Sequence, residues 1–218
     1  MSEGSPELFA EEETVPEVGT AADGKPWVHP LGRAAWRAWL IAHHATSDGA
    51  YLVTWRRHTG RPAVSYDGAV EEALCVGWVD ATARKLDEDR SLLWFTARRP
   101  RSAWSRPNKI RVDRLLAAGL MLPAGLAAIE ESKRRGTWSL LDDVEDLVVP
   151  DDLAVAFEAN PPAQANWDAF SRSARRGILE WIVQAKRPET RAKRIDETAS
   201  LAARNEKANQ LVPRDQRT

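Results

Sequence analysis

The segment from Trp94 to Arg114, WFTARRPRSAWSRPNKIRVDR, sets seven cations beside two tryptophans with Asp113 as its single acid. Arg98, Arg99, Arg101, Arg106, Lys109, Arg111 and Arg114 repel one another, so a chain that keeps them presents a solvated face or binds an anion. The apolar run before them reads as a strand ending near Ala97. Ser105 then starts a helix, with Pro107 in its first turn, Ile110, Leu115 and Leu116 on its apolar face and Gly119 as its stop. Arg98 to Trp104 is then a loop that delivers Ser105, Asn108 and backbone N–H groups to a helix N-terminus. Such a terminus carries about half a positive charge and binds phosphate or carboxylate readily. The arginines add bidentate donors, and Trp104 is placed to stack a base or pack an arginine. The plainer alternative is that Ser105 and Asn108 cap the helix, Trp104 fills the core and the arginines are solvated.

A chain of 218 residues buries one substantial core, or one core plus a small helical appendage. Its ten tryptophans are expected to pack as core or interface fillers, with Trp104 the exception. The formal charge of −1 hides an asymmetry: residues 1–24 carry −7 with no Lys or Arg, so the remainder carries +6. Low apolar content and one-signed charge predict a disordered acidic tail over 1–24. The lone Cys75 permits no internal disulfide and reads as a buried, inert thiol. No stretch approaches the ~20 apolar residues of a bilayer span, and the start lacks the pattern of a signal peptide, which predicts a cytoplasmic protein without membrane insertion.

The rest of the pattern predicts an α+β fold, a small antiparallel sheet covered by helices and followed by a C-terminal helical subdomain. A helix is expected near 31–44, a strand over Ala50–Arg57, and a helix after Asp67 as its cap. Runs at Trp78–Lys85 and Ser91–Ala97 around the polar group 87–90 predict a hairpin, and Pro123–Arg135 a further helix. The α+β domain is placed at 25–140, an acidic linker at 138–150, the helical subdomain at 150–205 and a flexible tail at 206–218. Four helices are expected there, at 150–159, 163–171, 174–186 and 188–204.

Two further motifs bear on function. In ALCVGWVD, Asp80 stands at a strand edge where it can pair with Arg98 or Arg99. In RPETRAKR, Arg187, Arg191, Lys193 and Arg194 lie on a helix within a 171–194 segment of net charge +6, a solvated surface or a docking face for nucleic acid. These motifs together resemble the YdeI/OmpD-associated, or bacteriocin-protection, family. The resemblance covers Trp78 and Asp80 of a GWID-like signature with Val79 for isoleucine, and Phe95, Thr96, Arg98, Arg99, Pro100, Ser102, Trp104, Ser105 and Asn108 of an FTPR(R/K)PxSxWSxxN pattern. Ala97 replaces the proline of that pattern, which loosens the backbone before Arg98.

His43 and His44 are adjacent and cannot form an i, i+4 metal pair, and no phosphate loop, GxSxG elbow or HExxH occurs. Neither metal nor cofactor is implied, and no residue is assigned as catalytic. The expected function is a stress- or bacteriocin-protection-associated protein binding a small anionic ligand through Arg98, Arg99, Ser102, Trp104, Ser105, Asn108, Trp78 and Asp80. One alternative is nucleic-acid binding through 98–114 and 171–194, with Trp104 as a stacking platform. The other is an enzyme using Asp80 beside arginines.

Overall fold

The computed structural model describes residues 16–209, which divide into two compact units. The first comprises 16–100 and 110–131; the second comprises 101–109 and 132–209. The division therefore passes through two helices, and it departs from the expected boundary at 138–150 because residues 132–149 pack with the helical unit.

The first unit is built on five strands: β1 (Glu17–Thr20), β2 (Pro26–His29), β3 (Ala50–Trp55), β4 (Trp78–Lys85) and β5 (Arg90–Ala97), in the order β1-β2-β3-β5-β4. Neighbours are antiparallel except β2 and β3. That pair is parallel, a correction to the expected all-antiparallel sheet. Its connection carries α1 (Arg33–His43), the kind of crossover that parallel strands require. Along β3, Ala50 and Leu52 alternate with Tyr51 and Val53, and all four are buried, so both faces of the sheet are covered. On one face the Trp36 ring of α1 lies 5.3 Å from Phe95 and its indole N–H donates to the Ala69 carbonyl oxygen of α2 (Tyr66–Cys75) at 3.1 Å. The other face carries a separate cluster of Tyr51, Val53 and Leu92, with Ala21, Trp27, Leu86 and Trp94 packed against it.

Each ring of this size removes roughly 150–250 Å² from water, which at ~25 cal/mol per Å² stabilises the fold by about 4–6 kcal/mol before entropy costs. A polar clamp joins α1 to α2: the buried Glu72 accepts from Arg33 and, at 2.6 Å, from Arg37. The cap of α2 is Ser65, whose hydroxyl accepts from the Gly68 N–H, two residues before the expected Asp67. Next come α3 (Arg106–Ala117) and α4 (Pro123–Arg134). Gly125 lets α4 approach α2, since a Cβ there would lie 2.4 Å from the Cys75 carbonyl oxygen.

The second unit holds α5 (Asp142–Glu145), α6 (Asp151–Glu158), α7 (Ala163–Ala169), α8 (Arg172–Val183) and α9 (Pro188–Ala203). Their apolar stripes meet in one cluster centred on Leu153, Phe157, Trp167, Ile178, Ile182 and Ala199. The acidic stretch expected as a linker contributes to this core, because Leu141 and Val144 turn inward while Asp142 and Asp143 stay outside.

Both expected tails need correction where they are described. Glu17–Thr20 is a strand paired with Pro26–His29, and its one charged side chain, Glu17, is exposed while the backbone is satisfied by β2. Ala208 is buried in the helical core. The rest of the two expected tails, 1–15 and 210–218, lies outside the described residues.

Candidate functional site

Gly77 turns the chain into β4 with φ +76, a left-handed conformation that glycine adopts without strain. Its carbonyl oxygen accepts from the Arg98 N–H at 3.0 Å, which extends the β4–β5 ladder by one rung past Ala97 and fixes the Arg98 backbone. Asp80 lies three residues along β4, opposite Phe95, just before a bulge in the register. Its carboxylate accepts from the Tyr66 hydroxyl at 2.9 Å. Tyr66 opens α2; burial and then the Asp80 carboxylate push its hydroxyl up, so it remains a donor at neutral pH. Beside it Arg111 of α3 pairs with Asp67 and holds its guanidinium 6.0 Å from the Tyr66 ring.

Burial pulls the Arg98 guanidinium down to about 10, while the charge of Asp80 acts in the opposite direction. Arg98 is still a cation at neutral pH, but in surroundings less polar than water. Arg99, the next residue, is exposed. Asp80, Tyr66, Asp67, Arg98 and Arg111 thus form a phenol–carboxylate–guanidinium cluster on the first unit. Tyr66 was missing from the sequence reading. Its only signal was the turn sequence before α2, and its partner Asp80 is 14 residues away on a strand.

The eight predicted ligand residues divide between the units. Trp78, Asp80, Arg98 and Arg99 belong to the first; Ser102, Trp104, Ser105 and Asn108 belong to the second. Both tryptophans are 1% exposed, so neither ring offers a face to a ligand. Trp78 packs edge-on against Trp39 at 6.3 Å. Trp104 packs 4.9 Å from Trp138, its indole N–H donates to the Ser132 hydroxyl at 2.7 Å, and its backbone N–H donates to the Thr137 carbonyl oxygen. Large apolar area with one satisfied polar atom is how a core tryptophan is stabilised, and the stacking role expected of Trp104 is corrected accordingly. Ser102, Ser105 and Asn108 are half-buried, and the Ser105 carbonyl oxygen accepts from the Lys109 N–H in the first turn of α3.

The cations of the second unit meet acids. Arg106 pairs with Asp146 at 2.8 Å and Lys109 with Asp142 at 2.6 Å, so the turn around α5 answers the basic start of α3. Glu145 of the same turn is 9% exposed; Arg176 binds it at 2.7 Å, and Arg172 donates to its carbonyl oxygen. Of the predicted docking residues on α9, Arg191 grips Asp152 through two nitrogens at 2.7 and 2.9 Å, and Arg194 donates to the Trp181 carbonyl oxygen while lying 4.8 Å from its ring. Arg187 and Lys193 are exposed and form no ion pair among the described residues. The acidic run that answers these charges was visible in the sequence only as a composition shift.

Among the described residues no group of His, Cys, Asp and Glu is arranged to hold a metal ion, and no helix is long and apolar enough to cross a membrane. Cys75 is buried, and desolvation pushes its thiol up.

Residues 28–128 match a domain of unknown function (DUF8412), and this span contains the WVD motif and the whole arginine-rich corner. No curated protein and no solved structure matches the chain. Residues 146–205, which contain RPETRAKR and all of α6–α9, match the family described as bacteriocin-protection, YdeI or OmpD-associated.

Proposed function

We propose that the chain is a bacteriocin-protection-associated binding protein that takes a small anion, phosphate or carboxylate, at Arg98 and Arg99 beside the Tyr66–Asp80 pair. The observation that carries this reading is the state of Arg98. Its guanidinium stays charged in a partly desolvated position, where its pKa is lowered to about 10 despite the nearby Asp80. A cation in that state gains more from an arriving anion than a fully solvated one, because the attraction is less screened. Arg99 supplies a second guanidinium on an exposed segment, and the Tyr66 hydroxyl is a further donor that can turn from Asp80 to a ligand oxygen.

The two alternatives receive less support. Internal pairing of Arg106, Lys109, Arg176 and Arg191 reduces the charge available to a nucleic-acid backbone, and an enzyme using Asp80 would need a second group to exchange protons with substrate.

Thermal-shift titration with inorganic phosphate and small carboxylates tests the reading. A bound ligand at a hundredfold excess over Kd stabilises the folded state by about 2.7 kcal/mol, and Arg99→Ala should abolish the shift while leaving the unliganded melting temperature nearly unchanged. The reading fails if no anion shifts the wild-type protein, or if Arg99→Ala itself unfolds it.

A further inference from the structure

We propose that Asp23 occupies, from within the chain, a second ligand site: a receptor for a flat ring bearing an anionic group, in which Tyr51 and Arg84 take the charge and Trp94 takes the ring. The site lies on the sheet face that carries no helix-packed tryptophan, and it is independent of the Arg98 cluster. Tyr51 of β3 and Trp94 of β5 are direct partners in the strand register, with ring centroids 4.8 Å apart and planes at 65°. The Trp94 ring lies against Gly49, where a Cβ would come within 2.3 Å of it, so the backbone makes room for the indole. This is a preformed aromatic corner.

The corner's polar end is already filled. The Asp23 carboxylate accepts from the Tyr51 hydroxyl at 2.9 Å and from the Arg84 guanidinium at 3.0 Å, both on the same oxygen. Burial and the hydrogen bond to Asp23 push the Tyr51 hydroxyl up, which keeps it a donor. The Lys25 ammonium stands 4.4 Å from the centre of the Trp94 ring, on a surface that an aromatic ligand would otherwise use. Two residues of one turn thus present to the corner what an anionic aromatic guest would present: a negative charge at the phenol and guanidinium, and a contact on the indole.

The turn is also the part of the sheet that opens most cheaply. It joins β1 to β2, and β1 is a four-residue edge strand in which Val18 is 64% exposed. Residues 22–26 are exposed, and Gly24 takes φ +78 between two short backbone hydrogen bonds, Ala21 to Lys25 and Gly24 to Ala21. Short exposed edges with few buried apolar contacts lie at the low end of local stability. Displacing Asp23 therefore sacrifices one turn and leaves the core pairs of β3 and β5 in place, and the apparent affinity for a guest is reduced by the fraction of time the turn is closed.

The test uses the full chain and three probes, AMP, adenosine and inorganic phosphate, in isothermal titration. Asp23→Asn removes the internal charge at an exposed turn, so it should bind AMP about tenfold more tightly than the wild type, the scale of one charge-assisted hydrogen bond. Adding Arg84→Ala or Trp94→Ala to Asp23→Asn should return the affinity to the wild-type level or below. Adenosine and inorganic phosphate, each holding half the recognition, should bind more weakly than AMP. The proposal is overturned if Asp23→Asn binds AMP no better than the wild type, or if Asp23→Asn gains as much affinity for inorganic phosphate as for AMP. It is also overturned if AMP binding survives Arg84→Ala but is lost in Arg99→Ala; that last result would move the ligand to the Arg98 cluster and leave the proposed function standing.

Discussion

Arg176 in the helical unit lies between Glu145 at 2.7 Å and Glu180 at 2.8 Å, and its charge is stabilised on both sides. Arg98 in the sheet unit is pulled the other way, down to about 10, because burial outweighs the charge of Asp80. In sequence both are members of arginine-rich stretches of similar density. What separates them is the balance of burial against nearby charge, and for the helical unit a single turn, Asp142–Asp146, supplies Asp142, Glu145 and Asp146 to three different cations. Charge density along a chain therefore says where cations are, and only the tertiary structure says what surroundings each one meets.

The contrast can be broken most severely at Trp104. If its role is packing, Trp104→Ala should destabilise the protein by about 3–5 kcal/mol, read as a large drop in the urea midpoint. A small drop together with lost ligand binding would return Trp104 to the site. Glu145→Ala comes next. It leaves Arg176 with Glu180 alone in a half-buried position, and unfolding by urea should show a loss of about 2–3 kcal/mol. Ser132→Ala removes the acceptor of the Trp104 indole and should cost about 1–2 kcal/mol, measured in the same way.

Acid separates the two units by window. Burial holds His29 below its ordinary value of 6.5, with Glu17 and Asp87 opposing the shift, Arg90 adding to it and the Trp55 ring edge-on at 5.0 Å. A group with a lowered folded pKa contributes stability above its unfolded value and loses it as pH falls through the folded one. Hydrogen exchange should therefore show β2 and its neighbours loosening as pH drops below about 6.5, an effect that His29→Asn should reduce. Glu145 is held below its ordinary 4.5, chiefly by Arg176, so the helical unit should keep its protection until the pH passes below that value. Simultaneous loss of protection in both units would contradict the separation. The smallest effect is expected at Arg106→Ala: both partners of the Arg106–Asp146 pair are more than a third exposed, and stability should change by no more than ~0.5 kcal/mol.

Most of the regular structure was legible where local pattern and burial agree. The hairpin predicted at 78–85 and 91–97 forms at 78–85 and 90–97, because alternation and the polar turn at Asp87 both point to it. The helices predicted in the second half fall within a few residues of their expected bounds, since each has an apolar stripe and a proline or serine at its start. What escaped depends on distant partners. β1 is four residues with one hydrophobic side chain, and only pairing with β2 makes it a strand. The short α5 reads as linker until Leu141 and Val144 find the helical core. For the candidate site, Asp80 and the arginines could be named from the chain, but the Tyr66 hydroxyl could not, and the aromatic residues singled out with them are claimed by packing.

The second unit is assembled from two separate stretches, 101–109 and 132 onward, with 110–131 belonging to the first. During synthesis the earlier stretch leaves the ribosome before its companions exist, while the sheet unit cannot close until residue 131 has followed. Recombination faces the same constraint. A crossover anywhere between 100 and 132 hands one parent's α3 or α4 to the other parent's cores, so the span matched at 28–128 and the span matched at 146–205 are inherited best as one uninterrupted gene segment.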